Sequence, residues 1–274
     1  MNMIRTRVRQ WMPASISGKA GLIILVVVVA VVLLGPLAAP YQSDLTVGIP
    51  YAPPSQAHWL GLDFLGRDVL SRVLHGGLTV VLYAGIATVA AYAVGLLAGL
   101  FAGYTRSWLE SVLMRSTDVL LAFPALVFLV LLAAAFGPGI TGIVVATAII
   151  QLPPIIRIVR SATLEQSVRG YVEAAVARGE GTLSVLRREI LPNIARPLSA
   201  DVGLRFSWSV LLIASVNFLG LGLQPPASDW GLMVSENRGG IATNPAVMLV
   251  PAALLGALTL GINLLGDALV GGKE

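Results

Sequence analysis

Polar side chains are scarce in the long apolar runs of this 274-residue chain, so each one that occurs there is a candidate for chemistry. Asp118, Arg157, Arg160, Asp201, Arg205, Asn217, Asn263 and Asp267 lie within such runs or at their ends. An ionisable group in hydrocarbon is costly, and where one persists it usually serves a pathway, a relay or a counter-ion. Most of these residues sit close to the basic end of their run, where they can snorkel or pair locally, as Arg115 could with Asp118 three positions on. Asp118 and Asn217 are carried forward as pathway or gate candidates, with Arg67 and Asp68 from a preceding polar loop. Other chemistries lack their residues. The histidines are His58 and His75, neither deep in a run, which leaves no bis-imidazole haem site and no buried Ser–His pair. Neither G-x-S-x-G nor HExxH occurs. A P-loop needs Gly-Lys-Ser/Thr, but Lys19 precedes Ala20 and Lys273 precedes Glu274. The chain is therefore not expected to be an enzyme, and any ATP that drives it is hydrolysed elsewhere. With no cysteine, thiolate metal sites and thiol chemistry are excluded as well.

The elements that hold these residues follow from composition. Apolar residues make up 56% of the chain and charged ones 12%, with a mean hydropathy of +0.85. A soluble domain carries about twice that charge. The chain reads as an all-α polytopic membrane protein, because continuous apolar runs of about 20 residues satisfy their backbone only as helices. Such runs are expected over Gly21–Ala39, Leu78–Gly103, Ser116–Phe136, Ile140–Ile158, Leu198–Leu223 and Ala246–Leu269, with a turn at Gly137-Pro138-Gly139. Gly95, Gly99 and Gly103 form a small-residue strip on the second, suited to close packing against another helix, such as one of a partner subunit. Lys and Arg set the orientation: if the N-terminus is cytoplasmic, fourteen lie on that side and three outside, with Arg205 in the membrane. Both termini are then cytoplasmic, and the pI of 9.8 needs no nucleic-acid partner. The expected organisation is a cytoplasmic segment 1–20, a first span 21–39, an extracytoplasmic loop 40–77, a core 78–270 and a tail 271–274. A cleaved signal peptide is disfavoured by the length of the first run and by Pro36 and Pro40.

Within that core, the charged stretch 161–197 stands apart. Leu164, Val168, Tyr171, Val172 and Ala175 recur at helical spacing, predicting one amphipathic helix. Gly179-Glu180-Gly181 should break it, and Leu183, Leu186 and Ile190 predict a second short helix ended by Leu191-Pro192. Small Ala174 and Ala175 permit close approach, and Gly179 can take a positive φ. A rigid knob of this kind could carry a push from a soluble partner into the adjoining spans. In the outer loops, Asp68 suits the start of a helix, favoured by its dipole. Trp59 and Trp230 read as interfacial anchors, and Gly220, Gly222, Pro225 and Pro226 as shaping the exit of the fifth span.

The run Glu173-Ala174-Ala175-x-x-x-Gly179, followed by Ile190-Leu191-Pro192, resembles the EAA motif of ABC importer permeases. His58-Trp59-Leu60-Gly61-x-Asp63-x-Leu65-Gly66-Arg67-Asp68-Val69-Leu70-Ser71-Arg72 is similar to a signature of the dipeptide/oligopeptide/nickel permeases. So are Asp118-x-x-x-Ala122-Phe123-Pro124, Phe218-Leu219-Gly220-Leu221-Gly222-x-Gln224-Pro225-Pro226-x-x-x-Trp230-Gly231 and Asn263-Leu264-Leu265-Gly266-Asp267. The pattern looks most like the second, shorter permease of such systems, the DppC/OppC-like subunit. It departs from them in its short Lys273-Glu274 tail and at Pro153-Pro154-Ile155-Ile156. The resemblance implies a type I importer fold in a bacterial inner membrane, half of a translocation pathway for di- or oligopeptides, and a second permease subunit. It also implies two ATPase subunits that bind the ATP and Mg, an extracytoplasmic solute-binding protein, and no cofactor in this chain. Glu173, Ala174, Ala175, Gly179, Ile190, Leu191 and Pro192 would then seat on an ATPase. Nickel or haem-like cargo in the same machinery is an alternative. An ion-coupled carrier, which would want inverted repeats and a broken-helix or mid-membrane ionisable site, is another, and a structural subunit a third.

Overall fold

A computed structural model describes residues 15–105, 107–137 and 139–271. The basic segment ahead of Ser15, Arg106, Pro138 and the tail residues 272–274 lie outside the described residues. The chain divides into two units, Met1–Tyr83 with Ile213–Glu274, and Ala84–Leu212. The boundaries between the units fall inside long helices.

The first unit begins with α1, Ile16–Ala38. Ser15 starts it, its Oγ accepting from the Gly18 N–H at 3.1 Å, which satisfies one of the free donors of the first turn. Outward-facing Ile23, Val26, Leu33 and Leu34 are all more than half exposed. A belt of that kind suits lipid and would be a liability in water. α2, Val69–Thr105, opens in this unit behind Asp68, whose Oδ2 accepts from the Ser71 N–H at 2.8 Å. The unit closes with the end of α8 (Leu191–Phe218), α9 (Trp230–Glu236) and α10 (Ala246–Gly271). α1 and α10 cross on glycines: a Cβ on Gly21 would lie 2.7 Å from that of Leu264, and one on Gly261 3.2 Å from the Gly21 carbonyl.

The second unit holds most of α2, then α3 (Trp108–Ala122), α4 (Ala125–Phe136), α5 (Ile140–Ser167), α6 (Gly170–Ala177), α7 (Thr182–Val185) and most of α8. Where a single third span was expected over Ser116–Phe136, α3 and α4 meet at a bend of 98°. Pro124 is the cause: it has no N–H to continue α3, and it drives Phe123 out of the helical region to φ −83°, ψ 136°. Among the described residues, five helices are thus long and apolar enough to cross a membrane singly, and the bent pair makes a sixth crossing if it counts as one. The Gly95–Gly99–Gly103 strip packs on this chain's own α5, beneath Ile155, Val159 and Thr163, with added Cβ atoms meeting side chains at 2.6 Å. It is therefore an internal seam. α5 runs unbroken through Pro153 and Pro154. Among the described residues there are no strands, only isolated bridges such as Thr46 with Arg67.

Candidate functional site

The stretch 161–197 folds into a knob, by a different route from the one expected. α5 carries on to Ser167 and stops at Val168, so the amphipathic repeat is split between α5 and α6. α6 ends in a Schellman turn. Gly179, at φ +82°, sends its N–H to Val176 O at 2.9 Å, and the Glu180 N–H reaches Ala175 O at 3.1 Å. Glu180 takes hydrogen bonds from Arg178 at 2.8 Å and Ser184 at 2.9 Å, which hold its carboxyl below the usual range. The second short helix does not end at Leu191-Pro192. α7 passes through a π turn, Leu186–Ile190, straight into α8. Leu191 N–H bonds back to Leu186 O, and this wider register makes room for Pro192, which has no N–H and whose ring would crowd an α turn.

The knob is two-faced. Val172, Ala175, Val185, Leu186 and Ile190 are buried in one cluster with Leu100 of α2, Ile155 and Val159 of α5, and Ile194 and Leu198 of α8. Glu173, Ala174, Val176, Gly179 and Pro192 are exposed, as is Leu183, while Leu191 is half-buried. Glu173 stands in the first turn of α6, where an acid also suits the helix dipole.

The same unit contains a cleft of about 160 Å³ at the α3–α4 bend, lined by Leu120, Leu121, Phe123, Ala125, Phe128, Ile150, Gln151, Pro154, Arg205, Trp208 and Leu212. Asp201 holds Arg205 through Nε at 3.2 Å and Nη2 at 3.1 Å, and itself accepts from the Tyr92 hydroxyl. Gln151 donates to Arg205 O at 3.1 Å and to Ser209 Oγ, which fixes its amide orientation. Its Oε1 is buried with no partner. Asp201 and Arg205 were visible in the sequence as intramembrane charges. Gln151 and Tyr92 were not singled out, each standing alone between apolar neighbours. Asp118 pairs with Arg157 across to α5, instead of with Arg115, and both partners are about half exposed, at 61% and 48%.

The remaining candidates fall in the first unit and are buried. Asp63 Oδ2 takes Arg67 Nε and Arg72 Nη1, each at 2.7 Å, and Glu236 Oε2 takes Arg72 Nη1 at 2.6 Å and Arg67 Nη2 at 3.2 Å. Asp68 caps α2 and accepts from His58 Nδ1 at 3.0 Å. Asn217 donates to Asp229 Oδ1 at 2.9 Å and accepts from the Leu223 N–H. Asp229 caps α9 through Gly231 and Leu232, and its burial pushes its carboxyl above the usual range. Trp230 is no interfacial anchor: it is fully buried over Gly76 and Gly77, with Nε1 bonded to Val73 O at 2.8 Å, whereas Trp59 is 73% exposed. Gly220, at φ +74°, does turn the chain out of α8. Glu236 and Asp229 escaped the sequence reading because loop acids are ordinary until burial singles them out.

Residues 95–272 match the family model described as binding-protein-dependent transport system inner membrane component. The glutathione transport system permease protein GsiD of Pectobacterium atrosepticum is 36% identical over 95% of this chain and 87% of its own length. The di/tripeptide transport system permease protein DppC of Pseudomonas aeruginosa is 37% identical over 91% of this chain and 84% of its own. Among solved structures, a chain of the MetNI methionine ABC transporter in inward-facing conformations superposes with a TM-score of 0.62 at 21% identity, covering 73% of this chain and 95% of that one.

Proposed function

The chain belongs to the binding-protein-dependent transport system inner membrane component family, as an ABC importer permease of the DppC/OppC type, and from that premise we propose that it forms half of a translocation pathway for di- and tripeptide-sized solutes. The two-faced knob carries the reading. Its inner residues are locked to three long helices while Glu173, Ala174 and Gly179 are left bare. A surface so arranged is suited to a groove on an ATPase subunit, with Glu173 as an anchoring charge, Gly179 giving the turn, and Ile190, Leu191 and Pro192 joining the knob rigidly to α8. When ATP and Mg close two such ATPases, the knobs approach one another. Displacement of α6 must then move α2, α5 and α8, because a close-packed core does not absorb it. A difference of a few kcal/mol in knob–ATPase contact between open and closed states is enough to shift the population. A second permease subunit completes the pathway, and an extracytoplasmic binding protein delivers solute. The basic residues around the knob support a cytoplasmic position for it and, with it, for both termini at the inner membrane. The similarity to permeases named for glutathione and di/tripeptides supports peptide cargo.

The test is uptake of a labelled dipeptide into vesicles holding the complete transporter. Accumulation should require ATP, and uptake driven by an ion gradient alone would overturn the reading. Gly179→Asp should uncouple ATP hydrolysis from uptake while the chain still inserts.

A further inference from the structure

The cleft at the α3–α4 bend offers complementary groups that its own unit leaves unused. Asp201 occupies Nε and Nη2 of Arg205, and Nη1 has no hydrogen bond to the described residues. Ala125, the first residue of α4, lines the cleft, and no side chain caps that helix. Its first N–H groups are therefore free donors at the positive end of a helix dipole. Gln151, 3% exposed, contributes the opposite need, a buried Oε1 without a donor. The other lining residues are apolar, Phe123, Phe128 and Trp208 among them. A ligand that suits all of this has a carboxylate, an adjacent N–H and an apolar side chain.

We propose that this cleft is a subsite for the carboxyl-terminal residue of a peptide in transit: Arg205 and the start of α4 take the carboxylate, and Gln151 Oε1 takes the peptide N–H. The inference rests on the permease reading above and names the part of the solute that this chain recognises. A cavity of about 150 Å³ accepts a benzene ring, so a cleft of about 160 Å³ takes one terminal residue, with the remainder of the peptide outside it. Asp201 and the Tyr92 hydroxyl behind it are positioning residues, holding the guanidinium plane against α8.

The experiment uses the complete transporter in proteoliposomes and compares a dipeptide ending in phenylalanine with its C-terminal amide. Wild type should move the acid about ten-fold faster than the amide, the worth of one charge-assisted hydrogen bond. Arg205→Gln should bring that ratio close to one, and Arg205→Lys should restore part of it. Absence of ATP-dependent uptake in wild type would instead sink the permease reading itself. A second readout bypasses the binding protein. The chain has no cysteine, so Leu121→Cys puts a unique thiol on it at the cleft, and its alkylation can be followed by mass. Millimolar dipeptide, and not the amide, should slow that alkylation, and adding Arg205→Gln should abolish the protection. Equal protection by acid and amide, or an acid-to-amide ratio unchanged by Arg205→Gln, would overturn the assignment.

Discussion

Asp229 shows how one residue can be both necessary and ill at ease. Its Oδ1 accepts from the Gly231 and Leu232 N–H groups and from Asn217, while Oδ2 is buried with no partner. Asp229→Ala should lower stability by about 2–4 kcal/mol, from a lost helix cap and a stranded Asn217 amide. Asp229→Asn keeps the accepting oxygen and removes the buried charge, so it should unfold at or above the wild-type temperature. Because folding raises this carboxyl's pKa, its contribution to stability is full below the ordinary carboxylate value and declines as pH climbs from there to the raised one. Thermal unfolding in detergent across that window should slope downward for wild type and flatten for Asp229→Asn. None of this was legible in Asp229-Trp230, where the tryptophan drew a membrane-surface reading. An aromatic at a loop end looks the same in sequence whether it faces headgroups or, as here, fills the space above Gly76 and Gly77. The turn at Gly179 was legible, because Gly179-Glu180-Gly181 marks a helix break and only glycine takes a positive φ without strain.

At the scale of elements, close approach and chain breaks decide what the sequence reveals. The Gly95–Gly99–Gly103 strip was recognisable as a packing face, but its partner was not, since periodicity names a face and never what covers it. Gly99→Leu would drive side-chain atoms into Val159 and towards the Ile156 carbonyl, 2.9 Å from the first added carbon. Overpacking of this kind costs about 1–3 kcal/mol, readable as a lowered unfolding midpoint in detergent. Gly179 has no atom within 4 Å of an added Cβ, so Gly179→Ala is penalised by its φ alone. That substitution should cost about 1–2 kcal/mol locally, and Gly179→Asn less. Proteolysis of the knob should report that order. The helix ends were harder to see. Hydropathy runs smoothly across Phe123-Pro124 and so concealed the bend, although a proline's restriction of its predecessor was present in the letters. At Pro192 the same residue was expected to stop a helix, and a π turn carried the chain through.

Over the whole molecule, fold class and family were readable from composition and motifs, while the division into two units was not. That division follows contacts distant in sequence, such as the cluster that ties Asp63, Arg67 and Arg72 to Glu236. The signature around Arg67-Asp68 was seen, but its carboxylate partner far along the chain was not. Removing one member strands the others: Arg72→Ala should destabilise the chain by about 3–5 kcal/mol, measured by thermal or denaturant unfolding in detergent. Sidedness is tested with single cysteines. Trp59→Cys should react with an impermeant reagent added outside spheroplasts, and Glu173→Cys only after the membrane is opened. The bend between α3 and α4 has one more implication. At 1.5 Å per residue, limbs of 15 and 12 residues reach about 22 and 18 Å, and neither alone traverses a hydrocarbon layer of about 30 Å. Their corner carries amides that no helix turn satisfies, and acyl tails offer such groups nothing. Wherever that corner rests in the assembled machine, the oil has been kept away from it.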